Sequence, residues 1–155
     1  MSEITFTTPD LSDSYPECEV LPFQFLHFGT VERFAGPAAT VSCHEDSSRV
    51  SEAAATPGDG RVLVVGGQQS RRRSLLGDNL AKAAIDNGWA GIVIVGAIRD
   101  VEIIDTLALG VFALGVVPVK TAKRGVGECD VDLTLGNVSV MPDNWIYADR
   151  NGVLV

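Results

Sequence analysis

The sequence is poor in the residues from which metal centres and disulfide scaffolds are built. It has two histidines, His27 and His44, and three cysteines, Cys18, Cys43 and Cys129. No two cysteines have CxxC spacing, and any disulfide scheme strands one thiol. Free thiols in a reducing cytosol are the simplest reading, and a zinc site from such scattered donors has little support. Positive charge is also scarce. Twelve basic residues against twenty acidic ones leave a formal charge of −8. That argues against a nucleic-acid footprint, which needs a concentrated positive face. The triplet Arg71-Arg72-Arg73 reads as a solvated turn on such a chain. An acidic surface still suits a protein partner with a basic patch.

Long apolar runs are missing as well, although the mean hydropathy is +0.20. The longest, Ala108 to Val117, is about half a spanning length and contains Gly110 and Gly115. The amino terminus carries Glu3 and Asp10 and has no Lys or Arg before Arg33, unlike a secretory signal. A cytoplasmic protein without membrane contact is expected, its surplus apolar surface covering a subunit interface. The 155 residues suit one domain, 1–155, able to bury about 70% of the unfolded surface.

What is present reads as a mixed α/β chain. Thr8 as cap, with Pro9 at the first helical position, predicts a short helix that Tyr15-Pro16 ends. Strands are expected over Gln24–Phe28 and Ala38–Cys43, then a weak helix over Ser47–Ala55. The centre is the most legible part. Arg61–Val65 reads as a buried strand closed by Gly66-Gly67, and Arg72–Leu76 as a helical turn. Asp78–Asn87 reads as a helix with Leu80, Ala83, Ala84 and Asn87 on one face, stopped by Gly88. Gly91–Val95 reads as a second buried strand, which completes a βαβ unit. A short helix over Val101–Leu107, a strand over Val111–Leu114 and a polar loop over Lys120–Gly127 follow. Hairpins are expected around Gly136-Asn137 and Asp149-Arg150-Asn151, with no repeat or linker.

Ligands in open α/β sheets bind outside the carboxyl ends of the strands. Three features gather there: the Gly66-Gly67 turn, the helix start Gly77-Asp78-Asn79-Leu80, and Arg99-Asp100. Free N–H groups at a helix start take an anion, here a substrate carboxylate. Arg99 can bind a further oxygen pair, and Asp100 offers a hard oxygen ligand to Mg²⁺ or Mn²⁺. On spacing alone the plainer account is favoured, a capped helix and an Arg–Asp pair on a loop, because glycines and charges are common after strands.

From about Thr8 to Val155 the chain resembles the RraA-like family, which includes ribonuclease regulators and metal-dependent 4-hydroxy-4-methyl-2-oxoglutarate aldolases. The resemblance rests on Gly77-Asp78-Asn79-Leu80-Ala81, Gly88-Trp89-Ala90-Gly91, Gly96-Ala97-Ile98-Arg99-Asp100 and Lys123-Arg124-Gly125-Val126-Gly127-Glu128. The tail Tyr147-Ala148-Asp149-Arg150-Asn151-Gly152 belongs to it too. It implies a single swivelling β/β/α domain, with a central βαβ unit and a β-rich carboxyl-terminal half. The aldolase branch carries an Asp-x20-Arg-Asp motif; Asp78 and Arg99 bracket the twenty residues from Asn79 to Ile98, and Asp100 follows. One departure is visible: many relatives have Asp-Gly-Gly-Gly where this chain has Gly66-Gly67-Gln68-Gln69.

The resemblance implies a class II aldolase acting on a small 2-oxo acid, with oxaloacetate decarboxylation as a secondary activity. Asp100 would hold Mg²⁺ or Mn²⁺, Arg99 would face the developing C2 oxyanion, and Asp78 would position a water for proton transfer. The backbone of Gly77 to Leu80 would bind the distal carboxylate, with Arg72 or Arg73 assisting. It also implies a homotrimer or a dimer of trimers; the sequence leaves open whether a neighbouring subunit completes the site, with Glu128 or Glu32 as candidate acids. A Schiff-base route needs a desolvated lysine, and Lys82, Lys120 and Lys123 all fall in polar surroundings. The competing reading is an inhibitor that binds ribonuclease E directly. A methyltransferase is set aside because no GxGxxG loop is present. Cys43 and Cys129 are expected to be packing residues, and Trp89 and Trp145 core or interface anchors.

Overall fold

The computed structural model describes residues 5–155, so Glu3 lies outside the described residues. Four parallel strands form its centre: β2 (Phe34–Ser42), β3 (Val62–Gly66), β4 (Gly91–Ile98) and β5 (Val111–Val116). The connections between successive strands carry α2 (Ser48–Ala54), α3 (Asp78–Asp86) and α4 (Val101–Ile104). The single βαβ unit expected from the sequence is therefore the middle of three. β1 (Leu26–Phe28) closes one edge against β5, running antiparallel. At the other edge β2 pairs antiparallel with both β6 (Glu128–Cys129) and β9 (Trp145–Asp149), and β10 (Gly152–Leu154) follows β9.

Why these segments form a buried sheet is plain in β3. Val62 and Val64 point to one face, Leu63 and Val65 to the other, and all four are fully buried, as in a strand covered on both sides. On one face Leu63, Val65, Ile92, Ile94 and Val111 pack under Val50 and Ala54 of α2, Ala81 and Ala84 of α3, and Ile104 of α4. On the other, Val62, Val64, Val93 and Phe112 meet a two-stranded hairpin, β7 (Leu133–Leu135) and β8 (Val138–Val140), through Leu133, Leu135, Val138 and Val140. Hairpin, sheet and helices make the β/β/α layering that the resemblance implied.

Local differences have physical causes. The first helix, α1 (Thr8–Ser14), is capped by Thr7, whose Oγ1 accepts from the Asp10 N–H. Thr8, the expected cap, instead donates its N–H and hydroxyl to the buried Asp149 carboxylate, both at 2.7 Å. β2 begins at Phe34, four residues before the expected start. Gly36 and Pro37 are accommodated where β2 pairs with β9, and pairing passes to β6 further on. Arg72–Leu76 is not helical but bends around a bridge at Ser74. Its backbone groups find partners in β4 and in the chain leaving β5, Ser74 N–H donating to Val119 O (2.7 Å) and Leu75 N–H to Ala97 O (2.9 Å). On α3 the fully buried positions are Ala81 and Ala84, with Leu80 and Ala83 only partly covered. Gly88 takes the expected left-handed conformation, φ +76°.

Trp89 is a buried anchor, its indole N–H donating to Thr56 O and its ring covered by Arg61 at 4.9 Å. Trp145 is half exposed and stacks on Tyr147. No helix among the described residues is long and apolar enough to cross a membrane.

Candidate active site

The segment Ser74–Leu76 builds the site. It lies between the end of β4 and the chain leaving β5, with Ser74 bridging both Ala97 and Lys120. The Arg99 N–H donates to Leu76 O at 3.0 Å. This pairing sets the start of α3 beside Arg99 and Asp100, although they are some twenty residues apart in sequence. A register shift in β4 between Ile94 and Ala97 is the local irregularity by which strands re-aim side chains near their ends.

Asp100 stands in the left-handed region, φ +59°, at the start of α4, yet makes no side-chain cap on that helix. Its Oδ2 instead accepts the N–H of Asp78 at 3.1 Å and so caps α3. This explains Gly77. A Cβ there would lie 2.7 Å from Asp100 Oδ2, so only glycine admits the carboxylate. The Asp78 carboxyl titrates below its ordinary range. Partial burial opposes ionisation but is outweighed by the hydrogen bond with Asp100, the Lys82 ammonium and the Asn79 amide. Lys82 Nζ lies 3.6 Å from Asp78, and Arg99 Nε lies 3.9 Å from Asp100 Oδ2.

These groups open into a cleft of about 490 Å³. Gly77, Asp78, Asn79, Leu80, Arg99 and Asp100 all line it, so the nominated helix start and the Arg99-Asp100 pair are brought together, while the Gly66-Gly67 turn nominated with them is not. The rest of the lining includes Ser47, after β2, and Lys120, Thr121 and Lys123, after β5. Those residues were not nominated for substrate binding; extending the strand-end rule from β3 and β4 to β2 and β5 would have found them. Gly66, Gly67, Gln68 and Gln69 are not among the cleft residues. Apart from Gly67 they line a separate cavity of about 130 Å³ against β7. Arg73 reaches the cleft only indirectly, donating to Lys120 O at 3.0 Å, and Arg72 lies 3.7 Å from Glu45. Glu32 and Glu128 lie outside the cleft of their own chain.

The donor set suits a hard cation. Asp100 and Asp78 supply carboxylate oxygens, and no group of three or more His, Cys, Asp or Glu that could hold a metal occurs among the described residues. One or two carboxylates completed by substrate and water is the ordinary Mg²⁺ arrangement. The thiols take no part. Burial, with Asp46 and Cys129 nearby, pushes the Cys43 thiol up to about 12. Burial, Asp130 and Glu52 likewise raise Cys129 against the pull of Arg49. His27 meets Val31 O and packs against Phe112, away from the cleft.

Fold and cleft together define a β/β/α domain with an acid-and-arginine site at the carboxyl ends of parallel strands. The chain belongs to the RraA-like family: the Aldolase/RraA family model matches residues 8–155. It is 52% identical over 152 residues to a Xanthomonas campestris protein named "Putative 4-hydroxy-4-methyl-2-oxoglutarate aldolase", covering 98% of this chain and 92% of that one. Among solved structures it is similar to the RNA-processing inhibitor RraA from Thermus thermophilis, with a TM-score of 0.93 and 44% identity, covering 97% and 92% of the two chains. It is equally similar, at TM-score 0.93 and 44% identity with 96% and 93% covered, to a Geobacillus kaustophilus protein named S-adenosylmethionine: 2-dimethylmenaquinone methyltransferase.

Proposed function

We propose that this protein is a cytoplasmic, divalent-metal-dependent aldolase that cleaves 4-hydroxy-4-methyl-2-oxoglutarate to pyruvate and also decarboxylates oxaloacetate. The observation that carries this reading is the meeting of Asp78, Arg99 and Asp100 in one cleft that Lys120 and Lys123 also line. The Xanthomonas relative's name supports the same substrate class.

Asp100, with Asp78 beside it, would hold Mg²⁺ or Mn²⁺, which as a Lewis acid favours charge on the substrate's C2 oxygen. Arg99 adds its guanidinium charge at that oxygen, where negative charge grows as the C3–C4 bond breaks. Asp78 holds the water that takes the proton from the 4-hydroxyl and later returns a proton to C3. The electron pair of the broken bond thus passes through the enolate to a C–H bond of pyruvate, and the C4 fragment leaves as the second ketone. Oxaloacetate loses carbon dioxide through the same enolate. At the α3 start the Asp78 N–H is taken by Asp100. The Asn79 and Leu80 amides that follow would meet the substrate, and Lys120 and Lys123 would draw in the distal carboxylate. All three nearby lysines, Lys82, Lys120 and Lys123, are exposed, unlike a Schiff-base lysine.

The chain is proposed to assemble as a homotrimer. Exposed Val116, Val119 and Val126 beside the cleft loops suit a subunit contact there, and light scattering tests it. The decisive assay for the activity is metal-dependent pyruvate release, with loss in Asp100→Ala. A second, compatible reading is favoured by the Thermus neighbour and the charge of −8: direct inhibition of ribonuclease E through a basic segment of that enzyme. It predicts capture that weakens with salt and survives Asp100→Ala.

A further inference from the structure

The Lys120–Lys123 wall lies on an irregular stretch between β5 and β6, and something must hold it in place. Arg73 fixes one end by donating to Lys120 O. The rest is gripped by four consecutive residues at the start of α2. Asp46 has no exposed surface. Its Oδ1 accepts the Ser48 N–H at 2.9 Å and its Oδ2 accepts the Arg124 N–H at 2.7 Å, with Arg124 Nε at 3.8 Å. Ser47 donates its N–H to Thr121 Oγ1 at 3.0 Å, and that hydroxyl donates back to Ser47 Oγ at 2.8 Å. Ser48 Oγ accepts the Gly125 N–H at 2.9 Å, and Arg49 donates to Gly125 O and Gly127 O.

We propose that Asp46 is a positioning residue: its buried carboxylate ties Arg124 to the start of α2, at the middle of the clasp on residues 121–127, and thereby fixes where Lys120 and Lys123 stand in the cleft. The substrate part of this inference rests on the aldolase reading; the clasp itself does not. The chemistry favours a charge at this position. Burial opposes ionisation of Asp46 but is outweighed by the Ser48 hydroxyl and amide and by the Arg124 amide and guanidinium, which together hold its carboxyl below the usual range. Asparagine keeps the size, but has one acceptor oxygen for two amide donors and sets an NH₂ against one of them. The loop would then be released while the α3 side of the cleft stays as built.

The molecule contains its own control. Asp149 is also buried and accepts backbone N–H bonds, from Thr8 and Asn151, but at the α1 end of the fold. Asp46→Asn and Asp149→Asn are compared in two assays. In the first, Asp46→Asn raises KM for 4-hydroxy-4-methyl-2-oxoglutarate about tenfold with kcat within about threefold. It leaves cleavage of 4-hydroxy-4-methyl-2-oxopentanoate, which lacks the distal carboxylate, unchanged. In the second, it speeds tryptic cutting after Lys123 or Arg124 by about fivefold or more in the native protein. Asp149→Asn changes neither. Equal behaviour of the two variants, or unchanged KM and cutting in Asp46→Asn, overturns the proposal. If Asp46→Asn does not fold, Ser48→Ala takes its place, with smaller changes in the same direction expected and none overturning it. If the native protein cleaves neither substrate, the aldolase reading fails, and the tryptic arm alone decides the clasp.

Discussion

Two loops leave neighbouring parallel strands at the same end of the sheet and meet different fates. The loop after β4 places Arg99 and Asp100 in the cleft, where Asp100 caps the helix across from it. The loop after β3 turns back over β4: the N–H groups of Gly67 and Gln69 both donate to Val95 O at 3.1 Å. A Cβ on Gly67 would lie 2.5 Å from Leu75 Cδ1 and 2.9 Å from Val95 O, so this glycine serves close packing rather than ligand approach. The strand-end rule nominates both loops equally. The partners of the following segment decide between them, because Ser74–Leu76 carries the chain past the β3 turn and delivers Gly77 and Asp78 to the cleft. The Gly66–Gln69 departure from the family pattern therefore falls on a packing turn, outside the cleft lining.

That contrast can be broken from either side. The largest effects belong to the β4 loop: Arg99→Ala or Asp100→Ala lowers kcat/KM by about 10³-fold, measured by coupled pyruvate release, while the fold persists. The two glycines come next and should separate. Gly77→Ala drives a methyl group against Asp100 and lowers kcat about 10- to 100-fold. Gly67→Ala overpacks against Leu75, costing about 1–3 kcal/mol in denaturant unfolding with turnover nearly unchanged. Comparable kcat losses in both would erase the distinction. A smaller effect sharpens it. Gln68 and Gln69 hold φ of +56° and +60°, so replacing both with glycine relieves left-handed strain and stabilises the fold by about 1 kcal/mol, again without changing turnover.

The smallest expected effect concerns neither loop. Hydrogen bonds from Thr8 and Asn151 outweigh burial and hold the Asp149 carboxyl below its ordinary value. A depressed folded value stabilises the protein fully above the unfolded pKa, about 3.9, and is lost as pH falls through the folded value. Acid unfolding curves should show this, with Asp149→Asn flattening the slope below about pH 4.

How far the sequence reaches is clearest in the central unit. The continuous apolar runs of β3 and β4 and the Gly88 stop are local patterns that locate that unit, and the Asp78–Arg99 spacing, read through the family resemblance, nominates one side of the cleft. What escaped depends on distant partners. Thr8 looks like a cap until Asp149 is found beside it. Arg72–Leu76 looks like a helical turn until Ala97 and Val119 take its backbone bonds. Ser47, Lys120, Thr121 and Lys123 are unremarkable in sequence, because only the parallel order of β2, β3, β4 and β5 brings them into one cleft with Arg99. Gly77 could be read as a helix start, but its need for no side chain follows from Asp100.

Pyruvate release from 4-hydroxy-4-methyl-2-oxoglutarate, with Mg²⁺ or Mn²⁺ added, tests the central claim most directly. EDTA and Asp100→Ala serve as controls. The account predicts turnover that needs the ion and is lost in both controls. Absence of turnover in the folded protein with either ion, or turnover untouched by EDTA and by Asp100→Ala, would contradict it.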